Sequence, residues 1–556
     1  MSFPVLRLLL GVPLGLVLVG AVIYPALVLV WQAFARDGRP TLANVAAVLG
    51  DPGIWHVLAN SLHVSIWSTL LGGTIGTGLA LLVARTDLPG QRFFRTALIV
   101  PYLIPPFIAA LAWLSLAGPV GLVNQLWMAM TGGEEPLFRI YGAAGIILVL
   151  TLSHYPLAYI TVLASLERID PALEEAARSS GASPARTVRD VTLPLVMPAI
   201  AAGAILVFLR CMENFGIPAI LGFPARYFVL TTKIYATILD FDRAHNFGLA
   251  AALSLLLMAV AGATMAIQWW ILRERAYGLA SGAGKPPVFS LGRWRRTASI
   301  AVGSFLLLTS VAPVLAILMT AFTRAYGMPL SWQNLSLQNF HTLFFGVPAV
   351  WRALGNSLFL AASSASVVIA LAVLIAYVQV RTRLRGKGVL EALILLPFAV
   401  PGTVVALAMI LAFLRPVLGI SLYNTIWIIL VAYIARFLAL AVKPVAAALI
   451  QVHTSLEEAA RSSGVSLTRC LRDVTMPLIR SALVAGWFLA AVPAITELTL
   501  SVLLWSAGNE TVGVMVFNLH EEGKVLLSSA LAVVVMTLAL ASNLLIRRVS
   551  ADVVGA

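Results

Sequence analysis

Apolar stretches of about 20 residues, each long enough to cross a lipid bilayer, recur along the whole chain. Because the bilayer core offers no hydrogen-bond partner to an exposed backbone, stretches of this length are expected to form transmembrane helices. The sequence therefore predicts an all-α membrane protein with twelve spans. These lie at residues 5–34, 60–83, 94–116, 141–166, 194–221, 246–272, 297–322, 356–380, 389–414, 424–450, 477–505 and 525–546.

The composition excludes a soluble protein. Hydrophobic residues make up 60% of the chain and charged residues 11%, whereas a soluble domain carries roughly 25% charged residues. Two cysteines, Cys211 and Cys470, are too few for a disulfide framework. No Cys/His cluster has the spacing of a zinc site, and no catalytic constellation emerges, so we expect no metal and no catalytic residue in this chain.

The positive charge is distributed as a membrane topology predicts. The net charge is +14, which in a soluble protein would favour a nucleic-acid partner. With the N-terminus inside, 24 of the 37 Lys and Arg residues fall in cytoplasmic segments and 10 in outer loops. Basic residues in short loops stay on the cytoplasmic side. Both termini are therefore predicted to be cytoplasmic. The protein is expected to contact the lipid bilayer, and no nucleic-acid partner is expected.

The first apolar stretch is predicted to remain in the mature protein. Residues 5–34 exceed a signal-peptide core of roughly 7 to 15 residues and lack a small-residue cleavage signal. We therefore interpret this stretch as a retained first span.

The two halves of the chain are repeats of one another. Asn60-Ser61-Leu62 recurs 296 positions later as Asn356-Ser357-Leu358, and residues 173–195 match residues 456–478 at 17 of 23 positions. Six spans return the chain to its starting side, so both copies have the same orientation. We predict a first six-span repeat at 1–272, a cytoplasmic linker at 273–296 and a second six-span repeat at 297–556.

The most similar repeated segment lies between spans four and five, outside the membrane. In the first copy, Asp170 can cap a short helix that Gly181 ends in a left-handed conformation. In the second copy, Thr454 and Glu457 form a capping-box pattern, with Gly464 as the terminator. Such a helix is either an amphipathic connector on the bilayer or a docking element for another protein. Its presence at equivalent sites in both repeats favours docking.

These segments resemble the EAA loop of ABC importer permeases, in which Glu-Ala-Ala is followed after three residues by Gly and after nine more by Ile-x-Leu-Pro. The only departures are Val191 and Val474 for Ile and Met476 for Leu. The resemblance implies a type I permease of the bacterial inner membrane and identifies residues that couple the chain to an ATPase. These are Glu174, Glu175, Ala176, Ala177 and Gly181, and then Glu457, Glu458, Ala459, Ala460 and Gly464.

The same resemblance implies the partners. Two copies of a nucleotide-binding ATPase subunit would seat the two loops, and ATP and Mg would bind there, so no cofactor is expected in this chain. Substrate would arrive on a periplasmic substrate-binding protein.

The fifth spans bear on the substrate. Residues 213–222 and 497–505 look like the corresponding segments of fused ferric-iron permeases, although fused permeases for thiamine or phosphonate and polyamine permeases are related. Glu213, Asn214 and Glu497 are candidate pathway residues, because a hard trivalent cation favours carboxylate oxygen. Pairing of Glu213 with Arg210, and of Glu497 with Arg436 or Lys443, is the structural alternative.

One alternative of a different class is a proton-coupled secondary transporter, which can also have six-plus-six spans. It needs no ATPase, so the two EAA loops disfavour it.

Overall fold

The computed structural model describes residues 15, 17–242, 244–273, 289–328, 332–382, 386–416, 419 and 421–554, with side chains as far as residue 542 except at 272 and 273. The described chain is mostly helical, as predicted. Two short strands, β1 (Ala35–Arg36) and β2 (Arg39–Pro40), form an antiparallel pair. Of the predicted linker, residues 274–288 lie outside the described residues.

The longer helices follow the repeat. Those of the first repeat are α1 (Tyr24–Ala33), α2 (Pro52–Arg85), α3 (Pro106–Ala117), α4 (Ala143–Leu166), α5 (Pro171–Ser179), α6 (Leu193–Met212) and α7 (Asn246–Arg273). Those of the second repeat are α8 (Arg295–Leu306), α9 (Ala312–Phe322), α10 (Pro348–Arg381), α11 (Lys387–Ala399), α12 (Gly402–Phe413), α13 (Ile426–Gln451), α14 (Thr454–Ser462), α15 (Arg480–Ile495) and α16 (Val525–Val554).

Shorter helices connect these elements. The α-helical ones are Ala43–Gly50, Gln91–Ala97, Leu122–Thr131, Pro184–Thr187, Gly216–Gly222, Leu230–Ile238, Gln338–His341, Leu467–Cys470, Met476–Leu478, Ser501–Leu504 and Val512–Glu521. The π-helical turns are Val19–Ile23, Val188–Thr192, Leu307–Val311, Thr342–Gly346 and Leu471–Thr475, and the 3₁₀ turns are Val100–Leu103, Phe223–Ala225, Gly292–Trp294 and Trp332–Asn334.

The described residues contain nine helices long and apolar enough to cross a membrane, and eleven spans if two bent helix pairs are counted as one span each. The pairs are α11 with α12, bent by 105°, and Leu467–Leu478 with α15, bent by 80°. The first predicted span is described from residue 15 onward and contains the shorter apolar helix Val19–Ala33. The multi-span architecture is thus confirmed, and the number twelve stays a prediction.

The third predicted span starts later than expected. The sequence predicts it at 94–116, but the long apolar helix of this region runs over Pro106–Thr131. Pro101 lies in the 3₁₀ turn Val100–Leu103, and Pro105 caps α3. Proline has no backbone N–H and clashes with the preceding turn, so the helix restarts after these two residues.

Each repeat's first span packs on the third span of the other repeat. One compact unit comprises residues 1–48, 235–255 and 340–556. In it α1 packs on α12, and Tyr24 donates a hydrogen bond to the Ala412 carbonyl at 3.2 Å. The other unit comprises 49–234 and 256–339, and in it α9 packs on α3. The compact units thus divide the chain differently from the predicted repeat boundaries.

Three helices form the centre of each unit. We call the unit of residues 49–234 and 256–339 the first-repeat unit, and in it α2, α4 and α6 pack on one another. The unit of residues 1–48, 235–255 and 340–556 is the second-repeat unit, and in it α10, α13 and α15 pack on one another. Gly76 of α2 lies so close to α4 that an added Cβ would stand 2.7 Å from the Tyr155 carbonyl oxygen. Small residues at such a crossing let two backbones approach closely in a membrane.

The repeated Asn-Ser motif holds the loop that follows the fifth span. Ser61 Oγ accepts a hydrogen bond from Leu230 N at 2.7 Å, and Ser357 Oγ accepts one from Val512 N at 2.8 Å. Beside the second motif, burial opposes ionisation of Glu510, but hydrogen bonds from Gly508 N and Arg352 outweigh it and lower the pKa of this carboxyl. Glu510 is therefore a charged structural partner of Arg352.

Candidate functional site

The first EAA helix is α5, which carries the Glu174-Glu175-Ala176-Ala177 segment. Its N-terminus is capped by Asp170, whose Oδ1 accepts a hydrogen bond from Ala172 N at 3.0 Å. Its C-terminus has the two hydrogen bonds of a Schellman motif, from Gly181 N to Arg178 O and from Ala182 N to Ala177 O. Gly181 has a φ of 85°, as the sequence predicts.

The second EAA helix is α14, and its N-cap differs from the prediction. Thr454 is the first helical residue, and the cap is His453, whose Nδ1 accepts from Ser455 N at 3.3 Å. The predicted capping box of Thr454 and Glu457 is wrong, because the Glu457 side chain is turned inward. The predicted terminator is confirmed, since Gly464 has a φ of 81°.

The two glutamates of each EAA helix have opposite environments. Glu174 and Glu457 are buried, whereas their neighbours Glu175 and Glu458 are exposed. Successive helical residues are about 100° apart around the axis, so only one of two adjacent glutamates can face inward. The outward face also carries exposed alanines and leucines, namely Leu173, Ala176, Leu456 and Ala459. Ala177 and Ala460 are half-buried at the edge of this face.

A buried ion pair fixes the first EAA helix to the end of α2. Arg85 Nε lies 3.0 Å from Glu174 Oε1, and the two side chains are 1% and 0% exposed. Arg85 Nη2 donates to the Leu166 carbonyl at the end of α4, at 2.7 Å. The Thr192 hydroxyl, in the turn that leads into α6, donates to the same Glu174 oxygen at 2.6 Å. Four elements of the first-repeat unit are therefore joined through the Arg85–Glu174 pair.

The same arrangement occurs in the second-repeat unit. Arg381 Nε lies 3.2 Å from Glu457 Oε1, and the side chains are 9% and 8% exposed. Arg381 Nη2 donates to the Val452 carbonyl just after α13, at 2.6 Å. The Thr475 hydroxyl donates to Glu457 Oε1 at 3.3 Å. We call the two clusters the first latch (Arg85, Glu174, Thr192) and the second latch (Arg381, Glu457, Thr475).

Sequence reasoning missed the arginine and threonine of each latch. Arg85 and Arg381 end the second span of their repeats 296 positions apart, and Thr192 and Thr475 are 283 positions apart within the matched segments. Both pairs therefore repeat in the register of their surroundings. A positional comparison of charged residues at span ends would have found the arginines.

The end of the predicted linker lies beside the first EAA helix. Phe289 N donates to the Arg85 carbonyl at 2.8 Å, and the Arg178 guanidinium lies over the Phe289 ring at 5.7 Å. Asp87 accepts a further bond from Leu291 N at 2.8 Å. This part of the linker is held by the same span end that carries the first latch.

The fifth-span acids do not occupy equivalent positions. Asn214 Oδ1 accepts from Ile217 N at 3.0 Å, and Glu497 Oε1 accepts from Leu500 N at 2.9 Å. Both pairs are separated by three residues and are related by the 283-residue offset. Glu497 is therefore the counterpart of Asn214 and not of Glu213.

Glu213 forms an ion pair with Arg210, as the structural alternative predicted. In the second-repeat unit, Lys443 pairs with Glu391 at 2.7 Å, and Arg436 Nη1 donates to the Val400 carbonyl at 2.8 Å. Val400 stands at the bend between α11 and α12, where a proline-broken helix leaves carbonyls without intrahelical partners. In the part of the chain that the structure describes, no group of three or more His, Cys, Asp or Glu side chains could hold a metal ion.

Comparisons with known proteins agree with this geometry. The family model described as binding-protein-dependent transport system inner membrane component matches residues 72–275 and again residues 368–554. Each match contains one EAA helix and one latch.

Two ferric transport permeases match over most of the chain, and a third relative matches over less than half of it. The ferric transport system permease protein FbpB of Actinobacillus pleuropneumoniae is 27% identical over 530 residues, covering 93% of this chain and 75% of the relative. A putative ferric transport system permease protein FbpB of Haemophilus influenzae is 27% identical over 489 residues, covering 87% and 76%. A probable molybdenum ABC transporter permease of Haloferax volcanii is 30% identical over 225 residues, covering 40% and 77%.

The predicted duplication is confirmed by the repeated family match, and the apolar helices agree with an inner-membrane location. The chain therefore belongs to the family of inner membrane components of binding-protein-dependent transport systems, and it carries the family's unit twice.

Proposed function

We propose that this chain is the membrane-spanning permease of an ATP-driven importer of ferric iron. The observation that carries the class is the pair of EAA helices, each capped at both ends and each presenting the glutamate and the first alanine of Glu-Ala-Ala on an exposed face. The substrate assignment is supported by the ferric transport permeases, which match over most of this chain.

The EAA helices would act as levers. Each would seat in a groove of one ATPase subunit, with its exposed alanines allowing close approach. When the two ATPases approach and separate, each helix would tilt the spans attached to it and alternate the pore between outward and inward openings. ATP and Mg would be bound and used by the partner subunits, and this chain would supply no catalytic group.

The predicted membrane topology agrees with this role of the EAA helices. Twelve spans with both termini in the cytoplasm would place the EAA helices on the ATPase side of the inner membrane, as the distribution of basic residues predicts. A periplasmic binding protein would deliver substrate to the opposite face. Glu213, Asn214 and Glu497 would contribute oxygen atoms near the path of a hard cation.

Two copies of the ATPase should bind one copy of the permease, because one chain carries two EAA helices. Native mass spectrometry of the detergent-solubilised complex should show one permease with two ATPase subunits. A single EAA helix disabled by Gly464→Val should shift the spectrum toward one ATPase. A stable complex containing two copies of this chain would contradict a pore made by one fused permease.

Removing the fifth-span acids tests the substrate path. The variant Glu213→Gln/Glu497→Gln keeps side-chain size but loses charge, and we expect iron uptake to fall about tenfold if roughly 1.4 kcal/mol of cation stabilisation is lost. Uptake should be measured in vesicles reconstituted with the ATPase and the binding protein. Glu135→Gln, which removes an exposed acid paired with Arg139, is the matched control.

Two further measurements distinguish a role of these acids in the substrate path from a role in structural ion pairing. Glu213→Gln leaves Arg210 without its paired carboxylate, so Arg210→Gln/Glu213→Gln should restore membrane abundance if pairing alone matters. Wild-type iron uptake by the double acid variant would reject an acidic pathway. If the unmodified complex takes up molybdate, thiamine, phosphonate or a polyamine but not iron, the assignment of iron as substrate is wrong. The assignment as a permease would be unaffected.

A further inference from the structure

The EAA helices are joined by the chain itself to only two spans of their own repeat. In the first-repeat unit α5 follows α4 and leads through a short helical segment into α6. A tilting α5 therefore pulls on α4 and α6 directly. The third central helix, α2, ends at Arg85, which is 89 residues earlier in the chain than its partner Glu174. Any motion of α2 with α5 must pass through contacts that are not covalent.

The latch supplies such contacts with directional hydrogen bonds. The Arg85 guanidinium binds the Glu174 carboxylate through Nε and the Leu166 carbonyl through Nη2, so it bridges α2, α5 and the end of α4. A planar guanidinium holds two acceptors at fixed angles, which a lysine cannot do. Thr192 adds the start of α6 to the same carboxylate. The cluster thus ties all three central helices to the EAA helix at one buried point.

The environment of the latch makes it a stiff connection. Arg85 and Glu174 are inaccessible to water, and a hydrogen bond between two charged groups is roughly twice as strong as one between neutral groups. Breaking it would leave an unpaired charge in the interior, which is far more costly than loss of an exposed pair. The bond is therefore expected to persist while the EAA helix moves.

The second latch has the same arginine–glutamate pair and the same threonine contact. Arg381, Glu457 and Thr475 reproduce the ion pair and the hydroxyl contact of the first latch, and Arg381 also donates to a carbonyl at the end of the preceding span. The same bonds therefore recur in both units, between the arginine that ends the second span and the matched EAA segment.

We propose that the two latches make α2 and α10 move with the EAA helices, so that each ATPase tilts three central spans as one body rather than two. This inference rests on the proposed function for the origin of the motion. In it Glu174 and Glu457 contribute to coupling as positioning residues inside the permease, whereas Glu175 and Glu458 face the partner.

Spin labels on the two sides of the first latch test the connection. Gly78 of α2 is exposed, with room for a side chain, and Ala172 of α5 is exposed, while the native Cys211 and Cys470 are buried. In the complex with its ATPases, labels at Gly78→Cys and Ala172→Cys should give one narrow distance distribution, unchanged between nucleotide-free and ATP-bound states. In the Arg85→Gln background the distribution should broaden and change on ATP binding.

Transport provides the second readout. Arg85→Gln/Arg381→Gln should still bind two ATPases, but ATP hydrolysis stimulated by loaded binding protein should fall about tenfold, together with uptake. The matched controls are Arg95→Gln and Lys443→Gln, which remove exposed interhelical ion pairs of the two units with Glu167 and Glu391. Exposed pairs contribute little, so both controls should behave as wild type.

A milder variant tests the same connection if the glutamine variants fail to assemble. Thr192→Val/Thr475→Val removes one hydrogen bond from each latch without unpairing a charge, and it should broaden the distances and lower stimulated hydrolysis to a smaller extent. Label distances that stay unchanged in the Arg85→Gln background would overturn the proposal, and so would wild-type uptake despite broadened distances. Valine variants that affect only assembly would overturn it as well. The label distances are independent of the substrate, so failure of the iron assignment would leave this test intact.

Discussion

Replacing Gly181 and Gly464 together by valine should abolish ATP-driven transport while leaving the permease in the membrane. Both glycines have positive φ and close the Schellman motifs that end the EAA helices. A β-branched residue in this conformation costs about 1–3 kcal/mol per site. The helix ends would unwind rather than the spans, because the cost falls on short exposed elements. A loss of that size would weaken ATPase docking about 5- to 150-fold at each site.

The measurement is co-purification of ATPase with the permease, together with uptake in reconstituted vesicles. Space is not the limitation, because an added Cβ at either glycine would meet no atom within 4 Å. The control is therefore Gly181→Asn/Gly464→Asn, since asparagine tolerates the left-handed conformation. Valine variants with normal ATPase yield and normal transport would show that the EAA helices are not the docking elements.

Replacing Gly76 by valine should destabilise the first-repeat unit severely. An added Cβ would stand 2.7 Å from the Tyr155 carbonyl oxygen and 2.8 Å from Tyr159 N, so α2 and α4 would have to separate. Overpacking a close crossing typically costs about 1–3 kcal/mol, and backbone atoms cannot move aside as a side chain can, so the upper end is expected. The separation would also disturb the first latch, which depends on the same two helices.

Gly78→Val is the matched control, because Gly78 lies two residues further along α2 and an added Cβ there meets nothing within 4 Å. Both changes have the same effect on intrinsic helix propensity. Thermal unfolding in detergent, followed by size-exclusion chromatography, should show a lower melting temperature and less monodisperse protein for Gly76→Val alone. Equal melting temperatures for the two variants would contradict the close helix crossing.

Much of the site could be predicted from the sequence, because its signals are local. Apolar runs identify spans by length, and a repeated EAA segment identifies two equivalent helices. Gly181 and Gly464 end those helices because few other residues adopt positive φ without strain. The duplication was visible since 17 of 23 positions match between the two segments.

The orientation of the EAA glutamates was beyond sequence reasoning. Glu174 and Glu175 are adjacent acids on an amphipathic helix, and only the presence of Arg85 and Thr192 determines which one is buried. The capping box predicted for Thr454 and Glu457 failed for the same reason, because Arg381 draws that carboxylate inward. Local propensity is weak compared with a buried ion pair.

The sequence by itself determined that the chain is a duplicated membrane permease unit, since hydrophobic length, charge placement and motif spacing are properties of neighbouring residues. Only the tertiary structure decided which residues share a site. It placed α1 on α12 and α9 on α3, matched Glu497 with Asn214, and joined Arg85 to Glu174 across 89 residues. Burial and pairing depend on partners distant in the chain, and these become neighbours only when the helices pack.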